Sequence, residues 1–354
     1  MELTKKQKNI IEAKESKVVV LASAGAGKTY CLTERLKYLM NIGFEQKKIV
    51  AITFTNAAAE ELKERIGDSG QGCFIGTVHS YANHLLTSIG VDTSKFIKNE
   101  DFDGLFKLVK ANPRCIQEVD HLLLDEAQDS TREQFDFFLD LIKPKNFFFV
   151  GDHRQAIYSF AEGDADFFYD LSKETDVKCY HLNDNFRNAS EILDFARDLL
   201  DPLGYKYEDD SIAKSTIYGQ VYRIEYSIDR IGDLILDDFD SDFKDWFILA
   251  RTNKEVDEIR EGLMRMDIPC ETFKKAELSN KGLKEKMENN TVKVLTIHTS
   301  KGLENKNVVA CGMRYYNPEE RRVNYVAATR AKKLLVWCST PKKRKLKKKM
   351  LDWS

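Results

Sequence analysis

The apolar run Val18-Val19-Val20-Leu21 passes directly into Ala22-Ser23-Ala24-Gly25-Ala26-Gly27-Lys28-Thr29, and no other stretch narrows the fold so far. It predicts a buried strand that turns through a glycine-rich loop into a helix, the opening unit of a phosphate-binding α/β domain. Gly25 and Gly27 let backbone N–H groups turn inward around phosphates with no Cβ in the way. Lys28 supplies a point charge for the β- and γ-phosphates, Thr29 a hydroxyl for Mg²⁺, and the helix its positive N-terminal end. Ala22, Ser23, Ala24, Gly25, Ala26 and Gly27 thus form the candidate phosphate cradle. Ala22 stands where the pattern has its first glycine.

A second block reads Leu122-Leu123-Leu124-Asp125-Glu126-Ala127-Gln128-Asp129. With Val119, the leucines predict a buried parallel strand, and the carboxyl ends of such strands are where α/β sheets carry ligands. Asp125 at that end can hold Mg²⁺ through water, and Glu126 can take a proton from an attacking water. The same acids could form a solvated turn; the phosphate loop upstream favours the catalytic reading.

The 354-residue length suggests two domains of ordinary size. A net charge of −2 excludes a uniformly basic surface, so any nucleic-acid site must be a local groove or cleft. The seven cysteines have no Cys-x-x-Cys spacing, which predicts reduced thiols, a cytoplasmic setting and no zinc or iron–sulfur site. The N-terminus has no apolar signal core, and no run approaches the roughly 18 apolar residues of a membrane span.

Strands are predicted at 17–22, 48–54, 73–77, 119–124, 146–150 and 177–182, then at 219–226, 246–250, 292–297, 307–311 and 333–338. They alternate with amphipathic helical stretches, which predicts parallel α/β sheets. A boundary near residue 185 would divide a nucleotide-loop domain (1–185) from a second of the same class (186–340), with Lys28 and Arg330 on opposite walls of the cleft between them. A basic tail, 341–354, holds Lys342, Lys343, Arg344, Lys345 and Lys347 to Lys349. It reads as a solvated end, a phosphate-backbone contact or a nuclear localisation signal, in that order.

Further blocks follow in a fixed order. They are Thr53-Phe54-Thr55-Asn56, Gly76-Thr77-Val78-His79-Ser80, Gly151-Asp152-His153-Arg154-Gln155 with Tyr158-Ser159-Phe160, and Asn185-Phe186-Arg187-Asn188. Beyond them come Thr296-Ile297-His298-Thr299-Ser300-Lys301-Gly302-Leu303-Glu304 and Tyr325-Val326-Ala327-Ala328-Thr329-Arg330. From Gln7 to Arg330 the chain resembles the UvrD/Rep family of superfamily 1A DNA helicases. The resemblance implies two RecA-like domains with ATP between them.

It also implies roles. Gln7 matches the amide that reads the adenine edge, though alone it would pass for a polar residue at a helix start. Arg35 and Phe186 match positions that contact the base, Phe186 standing where the family usually has Tyr. Gln155 matches the sensor of the γ-phosphate and water, Arg187 and Arg330 the two γ-phosphate arginines, and Glu304 the ribose contact. Phe54, Tyr158 and Phe160 match aromatics that stack on bases, whereas Asn56, Thr77, His79, Thr296 and His298 match polar positions of the same groove.

The chain also departs from the family. Ala161-Glu162 stands where the family has Arg-Gly, and Asn305 where it has Phe. Residues 84–118 sit at the place of accessory domain 1B and are expected to be a reduced form of it. The stretch 251–291 is too short for domain 2B. The reading is an ATP- and Mg²⁺-dependent single-stranded DNA translocase or helicase, moving 3′ to 5′. The alternative is a DNA-stimulated ATPase subunit that serves a nuclease, repair or defence complex and does not unwind alone. In that alternative a protein partner supplies the duplex grip or the nuclease.

Overall fold

In the computed structural model, which describes residues 3–157, 164–200, 211–273 and 280–339, two parallel sheets carry the fold. The first contains β1 (Lys17–Ala22), β2 (Ile49–Ile52), β3 (Phe74–Gly76), β4 (His121–Leu124), β5 (Asn146–Gly151) and β6 (Lys178–Leu182), in the order β3-β2-β4-β5-β1-β6. Alternate side chains of a strand point to opposite faces, and here both faces are apolar. Val18 and Val20 of β1 meet Phe148 and Val150 of β5 in one cluster, whereas Val19 joins Phe147 and Phe149 in the other.

Helices α1 (Lys5–Ile11), α2 (Lys28–Asn41) and α3 (Asn56–Ile66) cover the first face, through Ile10, Leu32, Leu36 and Leu62. The second face is covered by α4 (Val78–Ser88), α5 (Ser94–Lys98) and α6 (Phe102–Ala111), then α7 (Arg132–Asp136) and α8 (Ala165–Leu171). Residues 84–118 are thus mostly helical. Leu85, Leu105 and Val109 share the core of Leu122 and Leu124, so this segment is fused to the sheet.

After β6 come β7 (Asp184–Asn185), α9 (Ser190–Leu200) and β8 (Ile212–Ala213), and β7 and β8 pair in parallel over two residues. The second sheet consists of β9 (Gln220–Glu225), β10 (Trp246–Ala250), β11 (Cys270–Glu271), β12 (Val292–Thr296), β13 (Asn305–Ala310) and β14 (Ala331–Ser339). Its order is β11-β12-β10-β13-β14-β9. Phe247, Leu249 and Leu295 pack with α9 and α14 (Pro318–Ala328), whereas Trp246, Ile248 and Val294 pack with α10 (Ile228–Leu236) and α11 (Asn253–Met264).

The stretch 251–291 belongs to this sheet. It forms α11, the edge strand β11 and α12 (Asn280–Glu288) before β12. The short strands β7, β8 and β11 carry no alternation that a sequence reading could catch. All seven cysteines are free, and among the described residues no helix is long and apolar enough to cross a membrane.

Candidate active site

β1 ends at Ala22, and the chain then leaves the sheet. Ser23 donates both its N–H and its hydroxyl to the Leu182 carbonyl, at 3.0 and 3.2 Å. Gly25 (φ +66°) and Gly27 (φ +84°) take the left-handed conformation that L-residues avoid, and Lys28 opens α2. A Cβ on Gly25 would lie 2.5 Å from the Cβ of Arg187, so the loop and the Asn185–Asn188 turn leave no room for one.

That turn is locked onto the loop. Asn185 donates to the Ala24 carbonyl at 2.8 Å, and the Phe186 N–H donates to the Gly25 carbonyl at 3.0 Å. Asn185 also accepts the N–H groups of Arg187 and Asn188 at 3.0 and 2.8 Å. Gly25→Ala should therefore cost both backbone strain and the turn, about 1–3 kcal/mol in strain alone. A fall of about tenfold or more in ATP affinity is expected by calorimetric titration. An unchanged affinity would mean that the loop does not hold the nucleotide.

The carboxylates sit where strand β4 ends. The Thr29 hydroxyl donates to Asp125 at 2.8 Å, which places two hard oxygen donors side by side, the donor set Mg²⁺ prefers. Glu126 adopts φ +51°, a strained conformation that recurs at active sites, and lies 3.4 Å from the Lys28 ammonium. Gln128 donates to Glu126 at 2.7 Å and accepts the Asp152 N–H at 2.8 Å, tying β4 to β5. Burial raises the pKa of Asp125, and the neighbouring Glu126 charge adds to this. Burial also pushes Glu126 upward, but Lys28 and Lys301 outweigh it and hold that carboxyl below its usual range. The site therefore keeps Glu126 ionised and poises Asp125 for a cation.

The opposite wall comes from the second sheet. Arg330, 1% exposed, donates to Gln155 Oε1 at 3.2 Å, to the Leu303 carbonyl at 3.1 Å and to the Val326 carbonyl at 3.0 Å. Burial, with Arg187 nearby, lowers its pKa to about 9, so the guanidinium remains charged at neutral pH. Arg187 pairs with Glu304, which also meets Lys332 at 2.8 Å. Burial opposes ionisation of Glu304, yet Arg187 and Lys332 bring it down to about 2. Lys301 pairs with Asp129 and donates to the Gln155 carbonyl at 2.8 Å, a second bridge between the sheets.

One cavity of about 1650 Å³ joins these groups. Ser23, Gly25, Ala26, Gly27, Lys28 and Thr29 line it, with Asp125, Glu126 and Gln155 from the first sheet, Arg187 from the turn after β7, and Glu304 and Arg330 from the second sheet. The same cavity is lined by Phe54, Asn56, Thr77, His79, Thr296 and His298. Phe54 is 39% exposed. Thr77 and Thr296 cap α4 and α13 (Ile297–Ser300) by accepting the N–H groups of Ser80 and Thr299. Burial lowers the pKa values of His79 and His298, which favours the neutral ring at both.

Several expected residues are not among those that line this cavity. Arg35 is buried and donates to the carbonyls of Ile11 at 2.7 Å and Ala13 at 2.6 Å, behind the loop and away from the cavity lining. Both bonds run through one guanidinium nitrogen and anchor the end of α1. Gln7 also lies outside the lining. Its carbonyl accepts the Thr4 N–H at 3.0 Å in a capping box, and its amide N–H points to the Ala26 carbonyl at 3.5 Å. Phe186 is half-buried, and its backbone, not a cavity-lining ring, meets the loop. Ala22 and Ala24 are buried beneath the cradle. Tyr158, Phe160 and the basic tail lie outside the described residues.

Asn185, Asn188, Gln128, Asp129 and Lys301 received no role from the sequence. Each acts through a partner elsewhere in the chain, and only their place inside recognisable blocks could have drawn attention to them.

The descriptions "UvrD/REP helicase N-terminal domain" and "UvrD-like helicase C-terminal domain" match residues 3–176, in two overlapping stretches, and residues 271–342. The Gabija protein GajB of Bacillus cereus is 27% identical over 51% of this chain and 45% of its own length. DNA helicase II of Haemophilus influenzae is 23% identical over 77% of the chain and 51% of its own length. A probable DNA helicase of Mycoplasma pneumoniae is 24% identical over 94% of the chain and 82% of its own length. The chain thus spans about half the length of the first two of these relatives. The paired sheets, the loop and carboxylates of one wall, the arginines of the other and both domain matches agree: the chain belongs to the UvrD/Rep family of helicases.

Proposed function

We propose that the chain is an ATP- and Mg²⁺-dependent motor on single-stranded DNA, with residues 1–185 and 186–340 as its two motor domains. The observation that carries this reading is the single cavity. Its phosphate-facing groups and its groove-facing groups are continuous, and both sheets contribute to each. A motor needs that continuity, because closure around a nucleotide must also change the grip on a strand.

Loop N–H groups and Lys28 bind the phosphates, while Thr29 and Asp125 would hold Mg²⁺, which would neutralise charge on the β- and γ-phosphates. Lys28 then turns from Glu126 toward the triphosphate, and the carboxylate gains proton affinity as its cationic partner leaves. Glu126 takes the proton of the attacking water, which Gln155 orients. Arg187 and Arg330 reach the same phosphate from the second domain, and the spread of charge in transfer favours their planar forks. Phosphate release removes the bridge between the walls, and the domains part. Phe54 and the polar groups beside it hold bases and phosphates in the groove. In this reading Gln7 reads the adenine edge, with Arg35 and Phe186 at the base; Gln7 also meets the loop at Ala26, and Arg35 the end of α1.

ATP hydrolysis measured with no DNA, with single strands and with blunt duplex tests this reading. Strong stimulation by single strands is expected; equal rates in all three would favour a small-molecule NTPase. The described residues of 251–291 build the edge of the second sheet, and among them no inserted domain is available to grip duplex. Unwinding by the isolated chain should therefore be weak or limited to short duplexes. Processive unwinding of long duplex would contradict this. The same shortness favours, as a second reading, an ATPase that unwinds only with a protein partner.

A further inference from the structure

Beyond the phosphate-facing groups the cavity runs to the corner between α5 and α6, which no motif match assigns. Ile97, 45% exposed, and Phe102 border it there beside His79 and Asn83. The Phe102 ring lies over the His79 imidazole with centroids 4.0 Å apart and planes 16° from parallel. Phe106 stands 5.6 Å from the His79 ring and 4.8 Å from Phe137 of the core. A ladder of rings thus runs from the first core to the cavity, and Phe102 is its rung at the lining.

The placement is fixed by backbone. Asp101 accepts the Gly104 N–H at 2.9 Å and caps α6, so Phe102 is the first residue of a pinned helix. His79 and Asn83 lie one turn apart on α4 and face the same space, giving a polar edge beside the rings. Phe102 is half-buried: it packs against the first core and also borders the cavity. A ring in a groove that also presents Phe54 can stack on a base, whatever the base is.

We propose that Phe102, stacked on His79, is a nucleobase platform at the α5–α6 end of the single-strand path. This rests on the single-strand reading above. Phe102→Leu keeps apolar bulk on α6 and removes the π face; Phe102→Trp keeps and enlarges that face. Binding of a labelled oligo-dT to the full chain by fluorescence anisotropy should weaken about 5- to 100-fold in Phe102→Leu, with little change in melting temperature. Phe102→Trp should bind as wild type does, and saturating oligo-dT should quench its added indole fluorescence relative to wild type. Wild-type affinity in Phe102→Leu, or no added quenching in Phe102→Trp, would overturn the platform while leaving the motor reading intact. Failure of the wild-type chain to bind oligo-dT would overturn both.

Discussion

Glu126→Gln should bind ATP nearly as wild type does and hydrolyse it about 10²–10⁴ times more slowly, the usual loss when a general base is removed. The amide keeps the shape of the side chain and can still meet Gln128, which donates to Glu126 at 2.7 Å in the native protein. It cannot accept a proton. Asp125 and Thr29 are untouched, so the Mg²⁺ donors survive, and the left-handed backbone at position 126 serves Gln as it serves Glu. Loss of the Lys28 contact at 3.4 Å removes a competitor for the ammonium, so nucleotide affinity should hold or rise slightly. Single-turnover hydrolysis and titration with a fluorescent ATP analogue measure the two quantities separately. A rate within about threefold of wild type would remove Glu126 from proton transfer.

Arg330→Lys should lower DNA-stimulated hydrolysis by about 10³ or more, the scale of an arginine that stabilises charge during phosphoryl transfer. Lysine keeps the positive charge but loses the fork that reaches Gln155, Leu303 and Val326 together. Arg330→Ala would be harder to read. It would strip the Leu303 and Val326 carbonyls of a donor in a buried site, mixing a folding defect with a catalytic one. The expected result for Arg330→Lys is therefore a large fall in kcat with a modest fall in melting temperature and nearly unchanged single-strand affinity without nucleotide. Parallel loss of all three would mark Arg330 as a packing residue that holds α14 against the loop before β13.

The sheets were legible because burial on both faces leaves continuous apolar runs. Val18 to Val20 and Phe147 to Phe149 divide between two cores by alternation alone. The phosphate loop was legible because only glycine fits at Gly25 beside Arg187. Thr29 and Asp125 lie 96 positions apart, yet their chemistry made each identifiable before their 2.8 Å contact was known.

Pairings between ordinary polar residues left no such trace. Lys301 and Asp129 read as two charges among many, and Asn185 as one amide of a turn, until the fold placed them together. The bonds of Arg35 to the Ile11 and Ala13 carbonyls left no trace for the related reason that main-chain acceptors carry no residue-type signal. Within 251–291 the edge strand β11 was not legible because it spans only two residues, too few to carry a period.

Directional movement on a single strand is the most direct test of a cleft that couples ATP to a strand groove. Oligonucleotides biotinylated at one end and blocked with streptavidin report it, since a motor that reaches the end displaces the block. With ATP, the chain should displace streptavidin from the 5′ end and leave it at the 3′ end, and Glu126→Gln should displace neither. Displacement from neither end by a wild-type chain that hydrolyses ATP rapidly on the same strand would contradict the account, because the cavity would then join nucleotide and DNA without converting one into motion along the other.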